Sequence, residues 1–328
     1  MAAINLVTYF INFAFFVFTI GISYLYMNYG RLEQVYPTDI PSTCTQVTIP
    51  NSFPLQKICM YSFASHKNPS TDPMLLIIHG YTEYALRYKD TIEFFQKKGF
   101  NVVALDSRGH GYSSGYRNTL NETAMFEDWQ HIFKTKIPQD KPVFVFTHSM
   151  GGLYFTRFAQ EYDVMDYLPS LKGVIHSGIA LQIDPSLASP FLQKMVHLLG
   201  HHLPALPVQE LKSETICRSE EVREAHAKDK LIHPIVHAAA GLGLLKAQTQ
   251  LEDPLFSENY NVPALLAMHG KDDVIIPYQS SIWLIDHATN VEDRSLKLWD
   301  NLYHELVNEP ERNNVWKYML SWIQQRLE

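Results

Sequence analysis

Residues 143–153 read Val143-Phe-Val-Phe-Thr-His-Ser149-Met-Gly-Gly-Leu153. An apolar strand runs into a turn with serine at its tip, and a helix opens on two glycines. This is the pattern of a nucleophile elbow, which exposes the serine Oγ beside a helix N-terminus whose partial positive charge suits a developing anion. So sharp a turn brings strand and helix close together and demands small neighbours. The usual G-x-S-x-G is here Thr147-x-Ser149-x-Gly151, so packing behind the elbow is expected to differ at Thr147. The same letters could spell a plain strand-to-helix junction with a serine cap. The strand before Ser149 and Gly151-Gly152 after it favour the elbow.

Working outward, short apolar runs at Met74 to His79, Asn101 to Leu105, Val143 to Thr147, Gly173 to His176 and Ala264 to His269 are each bounded by Gly, Pro or charged turns. Runs apolar on both faces suit a buried parallel sheet. Amphipathic stretches lie between them, such as Tyr88 to Lys98, stopped by Gly99, and Met150 to Tyr162. The alternation is βαβ in character, with right-handed crossovers. Gln46 to Ile49 and Ile58 to Phe63 are expected to form an antiparallel pair, and Val315 to Leu327 a closing helix. The stretch Ile183 to Gln250 breaks the rhythm: it is helical in period, shows no clear strand, and reads as a cap inserted over the carboxyl edge of the sheet, where such folds bind ligands. The expected division is an anchor over 1–30, a core over 31–182 and 251–328, and the cap over 183–250.

The anchor rests on Ile4 to Tyr26, INLVTYFINFAFFVFTIGISYLY, within a stretch that carries no Asp, Glu, Lys or Arg before Arg31. At ~1.5 Å per residue it can cross a hydrocarbon core of roughly 30 Å. Tyr24, Tyr26 and Tyr29 suit the membrane interface. A cleaved signal peptide is the rival, disfavoured by the length of the run, the lack of a basic n-region and the lack of an A-x-A site. Arg31 alone does not fix the orientation.

With 328 residues, 46% hydrophobic and 19% charged, the chain can fill one large globular unit, and disorder of the whole is excluded. The formal charge of −7 is spread out, and the densest basic run is Lys97-Lys98, so nucleic acid is not an expected partner. Cys44, Cys59 and Cys217 include no C-x-x-C pair and leave room for one disulfide and a free thiol. No cofactor is expected. His197/His201 and His233/His237 stand at i, i+4, but without an H-E-x-x-H pattern metal binding is not expected. Asn121-Glu-Thr123 is a glycosylation sequon, usable only on a lumenal or external domain.

Acyl transfer needs donors aimed at the oxyanion, a base and an acid that orients it. His79-Gly80-Tyr81-Thr82-Glu83 follows a strand, and the N–H groups of Tyr81 and Met150 are the candidate donors. Leu265-Leu-Ala-Met-His-Gly270-Lys-Asp-Asp273 delivers an acid at a strand exit; Asp273 fits a G-x-x-D spacing better than Asp272. Leu298-Trp-Asp-Asn-Leu-Tyr-His304-Glu-Leu306 delivers a histidine before the last helix. Ser149, Asp273 and His304 then stand in the chain order of this architecture.

Together these residues resemble the monoacylglycerol lipase and lysophospholipase group of α/β-hydrolases, serine aminopeptidase-like enzymes included. The resemblance runs from about Ile58 to the carboxyl terminus. It rests on H-G-Y-T-E with Arg87-Tyr88, Asp106-Ser-Arg-Gly-His-Gly-Tyr-Ser-Ser-Gly115, H-S-M-G-G, Ile216-Cys-Arg-Ser-Glu-Glu-Val222, Gly270-Lys-Asp-Asp273 and His304-Glu-Leu306. It implies an α/β-hydrolase fold, a mostly parallel sheet with helices on both faces, and hydrolysis of esters with one long acyl chain under an amphipathic cap. The N-terminal run is an addition to that pattern. Asp106 to Gly115 reads as a supporting turn, since it lacks the G-K-[ST] ending of a phosphate loop. An aminopeptidase or amidase on the same scaffold, or a membrane-anchored binding protein with a silent triad, remain the other readings. An anionic pocket would favour the peptidase, and an apolar tunnel through Leu192, Met195 and Leu198 would favour lipid.

Overall fold

In the computed structural model, the strands are β1 (Gln34–Val35), β2 (Cys44–Ile49), β3 (Gln56–Phe63), β4 (Met74–Ile78), β5 (Asn101–Leu105), β6 (Gly115–Tyr116), β7 (Val143–His148), β8 (Leu171–Ser177), β9 (Pro207–Glu210), β10 (Ile235–His237), β11 (Leu265–Gly270) and β12 (Arg294–Trp299). The helices are α1 (Lys89–Lys98), α2 (Glu122–Lys136), α3 (Met150–Glu161), α4 (Pro190–Leu199), α5 (Glu220–Lys228), α6 (Ala238–Leu251), α7 (Gln279–His287) and α8 (Arg312–Gln324). The structure describes residues 37–50, 52, 55–182, 189–251 and 259–327, with isolated positions before them. The expected span over 4–26 falls, apart from such positions, outside the described residues. Among the described residues no helix is long and apolar enough to cross a membrane.

Eight strands form the central sheet in the order β12-β11-β8-β7-β4-β5-β3-β2. Only β3 runs against its neighbours, pairing antiparallel with both β2 and β5, while the other pairs are parallel. Side chains alternate across a strand, and both faces of this sheet are covered. On β4, Met74, Leu76 and Ile78 enter one core cluster with Phe126, Trp129, Leu153 and Phe158 of α2 and α3. Leu75 and Ile77 enter the other, with Ile92 and Phe95 of α1 and Val315, Met319 and Ile323 of α8. The same split divides Val143 and Val145 from Phe144 and Phe146 on β7. That is why these runs are apolar at every position rather than at alternate ones.

Cys44 and Cys59 form a disulfide between β2 and β3, with Cα atoms 5.5 Å apart, and Cys217 is a buried free thiol. Between β8 and β11 lie α4, β9, α5, β10 and α6. This corrects one expectation, since the inserted region is not helical throughout. β9 and β10 pair antiparallel, Ile235 opposite Glu210 and Val236 opposite Gln209. Strands of four and three residues, one beginning on a proline and half-exposed, are too short to show any period in the sequence.

Candidate active site

Ser149 sits between β7 and α3 with φ 49° and ψ −116°, a backbone conformation rare for any residue with a Cβ. The turn is held by its surroundings: Ser149 N–H donates to the Ser177 carbonyl at 3.0 Å, and Gly152 N–H returns to the Ser149 carbonyl at 3.0 Å. A Cβ on Gly151 would lie 2.5 Å from the His79 carbonyl oxygen and 2.8 Å from that of Ile78, so only glycine lets α3 start this close to β4. At the other small position of the motif, the buried Thr147 places Oγ1 2.6 Å from His176 Nδ1. The bulkier residue is thus used to pair a buried histidine.

The elements expected to bring the other site residues converge here. A Cβ on Gly80 would stand 3.1 Å from Ser149 Cβ, so the turn after β4 leans on the serine. Tyr81, Ser149 and Met150 line one cavity. Neither the Tyr81 nor the Met150 N–H is spent on a backbone acceptor among the described residues. His304, in the loop after β12, packs on Gly178: a Cβ there would be 3.1 Å from His304 Nδ1. The adjacent Ser177 carbonyl accepts from Ser149 N–H, and also from the ring of His148 at 2.9 Å. The His148 and His304 ring centroids are 4.6 Å apart. The backbone of Ser149 and the ring of His304 thus both pack against the carboxyl end of β8.

His304 Nδ1 donates to Asp273 Oδ2 at 2.6 Å. Asp273 Oδ1 accepts the N–H groups of Ile275 and Ile276 at 2.8 and 3.0 Å. Asp272, the other acid of the loop, is exposed. Burial pushes the Asp273 pKa up, but the charge of His304 and the hydrogen bonds from His269 and His304 outweigh it and hold the carboxyl below the usual range. The converse holds for His304: burial disfavours its charged form, yet the Asp273 carboxylate, with Glu305 and Glu83 beyond it, raises its pKa. His148, buried beside His304, is pushed down to about 4, chiefly by burial, and is neutral.

Sequence reasoning quoted Glu83, Arg87 and Glu305 within motifs but gave them no role. Glu83 Oε1 accepts from Gly80 N–H at 2.6 Å and from Tyr88 Oη at 2.7 Å. Its other oxygen pairs with Arg87 at 3.0 Å, and Arg87 grips Glu305 through both terminal nitrogens at 2.6 and 2.7 Å. One arginine thereby ties the turn carrying Gly80 and Tyr81 to the residue after His304. The i, i+4 spacing of Glu83 and Arg87 was a usable signal for half of this; Glu305 lies 218 positions from Arg87 and gave none. The Asp106 loop is structural: the buried Asp106 accepts from Ala85 and Tyr112 N–H at 2.8 Å each, and Ser107 N–H donates to His79 Nε2 at 2.8 Å.

The cavity over Ser149 has a volume of about 100 Å³ and lies between the sheet edge and the inserted region. Leu192 lines it, as do Val196, Val236, Leu244 and Ile276. Met195 and Leu198, expected alongside Leu192, do not. Positions 192 and 196 share the inner face of α4, whereas Leu198 is 66% and Phe191 74% exposed, as the helical period dictates. His197 and His201 are exposed, and no group of three or more metal-ligating side chains occurs among the described residues.

Residues 69–311 match the family model described as Hydrolase_4, serine aminopeptidase, S33. The chain belongs to this family. Within the Hydrolase_4 family, it is 34% identical over 265 residues to a protein named monoacylglycerol lipase from Mycolicibacterium smegmatis, covering 78% of this chain and 90% of the relative. It is 31% identical to the phospholipase YtpA of Bacillus subtilis, covering 74% and 92% of the two chains. Among solved structures, a soluble variant of monoglyceride lipase from Saccharomyces cerevisiae in complex with a substrate analogue matches with TM-score 0.76 at 19% identity, covering 90% of this chain and 99% of that one. The monoacylglycerol lipase of Paleococcus ferrophilus matches with TM-score 0.70 at 23% identity, covering 82% and 99%. At these identities the structures bear on the fold, and they agree with an α/β-hydrolase.

Proposed function

We propose that this chain hydrolyses carboxylic esters of lipids carrying one acyl chain, monoacylglycerols or lysophospholipids, through an acyl-enzyme on Ser149. That it is a serine ester hydrolase follows from its family and relatives. One observation carries the proposal: the cavity opening on Ser149 is lined by apolar side chains and a few amides, with no charged residue among those that line it. A free amino terminus would need a carboxylate there, so the cavity favours an acyl chain over a peptide. Apolar pockets with a few convergent polar groups are the usual form of such sites.

In the proposed cycle, Ser149 Oγ attacks the ester carbonyl while His304 takes its proton, and the carbonyl oxygen gains negative charge facing the Tyr81 and Met150 N–H groups. Asp273 keeps the His304 Nδ1 proton in place and stabilises the imidazolium. His304 then gives the proton to the leaving alcohol. Water, deprotonated by the same histidine, releases the fatty acid and restores the serine. The uncharged run Ile4 to Tyr26 supports a single-pass N-terminal anchor that would hold the site beside a bilayer, where such substrates partition.

Ser149→Ala should lose fluorophosphonate labelling and all turnover. The wild-type enzyme should prefer monoacylglycerols or lysophospholipids to aminoacyl amides; preference for the amides, or labelling retained in the variant, overturns the proposal.

A further inference from the structure

His269 is the fifth residue of β11 and is fully buried. Its ring spans from α7 to the acid at the strand exit. Nδ1 lies 2.7 Å from Ser281 Oγ, and Nε2 lies 3.0 Å from Asp273 Oδ2 and 3.1 Å from the Ile276 carbonyl oxygen. A carbonyl accepts only, and Asp273 is held ionised, so both partners of Nε2 are acceptors and Nε2 carries the proton. Nδ1 faces the Ser281 hydroxyl, which can donate or accept. The two acceptors at Nε2 thus set where that proton sits, and the serine on α7 anchors the far side of the ring and fixes its orientation, much as a second partner orients a histidine that ligates a metal.

The oxygen that receives this proton is the one that matters. Asp273 Oδ2 also accepts from His304 Nδ1, at 2.6 Å, so two imidazoles, one through Nε2 and one through Nδ1, converge on one carboxylate oxygen. The second carboxylate oxygen is saturated by the Ile275 and Ile276 N–H groups. On the assignment of Asp273 and His304 made above, we infer that His269, keyed by Ser281, is a positioning residue of the catalytic machinery. It fixes the rotation of the Asp273 carboxylate and shares its charge, so that Oδ2 points at His304 and holds the imidazolium no more tightly than turnover requires. His269 touches neither the substrate nor the reacting atoms.

Chemistry gives the direction. His304 acts as base only when neutral, and Asp273 raises its pKa above the ordinary histidine value, so kcat/KM should fall as pH drops through that raised value. Groups facing His304 are Asp273 and Glu305, Glu83 from the turn after β4, and His148, which is neutral. Removing the His269 donor leaves the whole Asp273 charge to His304 and moves the acidic limb to higher pH.

The test is the pH profile of kcat/KM for a p-nitrophenyl ester with the full chain. His269→Leu should move the acidic limb upward by roughly half to one pH unit and lower kcat about 10- to 100-fold, the scale on which such outer partners act, with KM unchanged. His269→Gln sets an amide N–H where Nε2 stands and should return the limb to its wild-type position. Ser281→Ala, which removes the ring's second anchor and loosens its orientation towards Asp273 while leaving the ring in its slot, should move the limb in the same direction as His269→Leu and keeps the question open to test if the leucine variant fails to fold. A wild-type limb and kcat in folded His269→Leu or Ser281→Ala overturns the inference, as does a glutamine variant displaced like leucine. Fluorophosphonate labelling of wild-type Ser149 separates this from failure of the triad: labelled serine with an unmoved limb sinks only the role of His269.

Discussion

Ser149 occupies φ 49° and ψ −116°, which costs about 1–3 kcal/mol for a residue bearing a Cβ, and its Cβ also faces the Gly80 backbone. Glycine reaches this region without clash. Comparing two inactive variants should therefore expose the strain: Ser149→Gly should melt above Ser149→Ala, by the equivalent of about 1 kcal/mol once the extra entropy lost by glycine is counted. Calorimetry of the pair reads this directly, and equal melting temperatures would mean that the turn is unstrained. The strand–serine–helix turn was legible because the strand, the serine and the glycines after it are contiguous in sequence. His269 was not. A histidine in an apolar strand is more often a paired core residue than a functional one, and here its partners lie four and twelve residues onward with no motif to mark them.

At the scale of elements, the site is assembled from four loops on one sheet edge, and the Arg87 clamp is what couples two of them. Both carboxylates it pairs are buried, Glu83 3% and Glu305 5% exposed, so removing the cation strands two charges in a low dielectric. Arg87→Met should cost about 3–5 kcal/mol, as breaking buried pairs does. The pH dependence has a definite sign. Burial raises the Glu305 pKa, but Arg87 overrides it and holds the carboxyl at about 2 against an ordinary 4.5. A depressed pKa contributes stability that is complete above the unfolded value and disappears as pH falls. Wild-type stability should therefore decline between about pH 4.5 and 2, and urea midpoints for Arg87→Met should be lower at pH 7 and flatter across that window. The sheet was readable because β4, β5, β7 and β11 are apolar at nearly every position. β9 and β10 were not, since short, half-exposed strands leave no period to detect.

For the molecule as a whole, the proposed function depends on how the region between β8 and β11 meets the sheet edge. Gly241 and Val196 show how closely α4 and α6 pack, a Cβ on the glycine falling 3.2 Å from Val196 Cγ1, so the wall of the cavity cannot yield inward there. Leu192, one turn earlier on the same face and half-buried, borders the cavity where an acyl chain would extend away from Ser149. Replacing it by tryptophan adds bulk to the path without touching Ser149, Tyr81, Met150 or His304. An acetyl ester ends before that point and a long acyl ester does not. Leu192→Trp should thus keep kcat/KM for p-nitrophenyl acetate within about twofold and lower it about tenfold or more for a long-chain monoacylglycerol, the discrimination that a few methylenes can supply in an apolar pocket. A profile of kcat/KM against chain length should break at a definite acyl length in the variant and not in the wild type. A uniform loss at all lengths would mean that α4 shifts as a body and disturbs the elbow, and no loss at any length would mean that the acyl chain leaves Ser149 by another route than the cavity beneath α4.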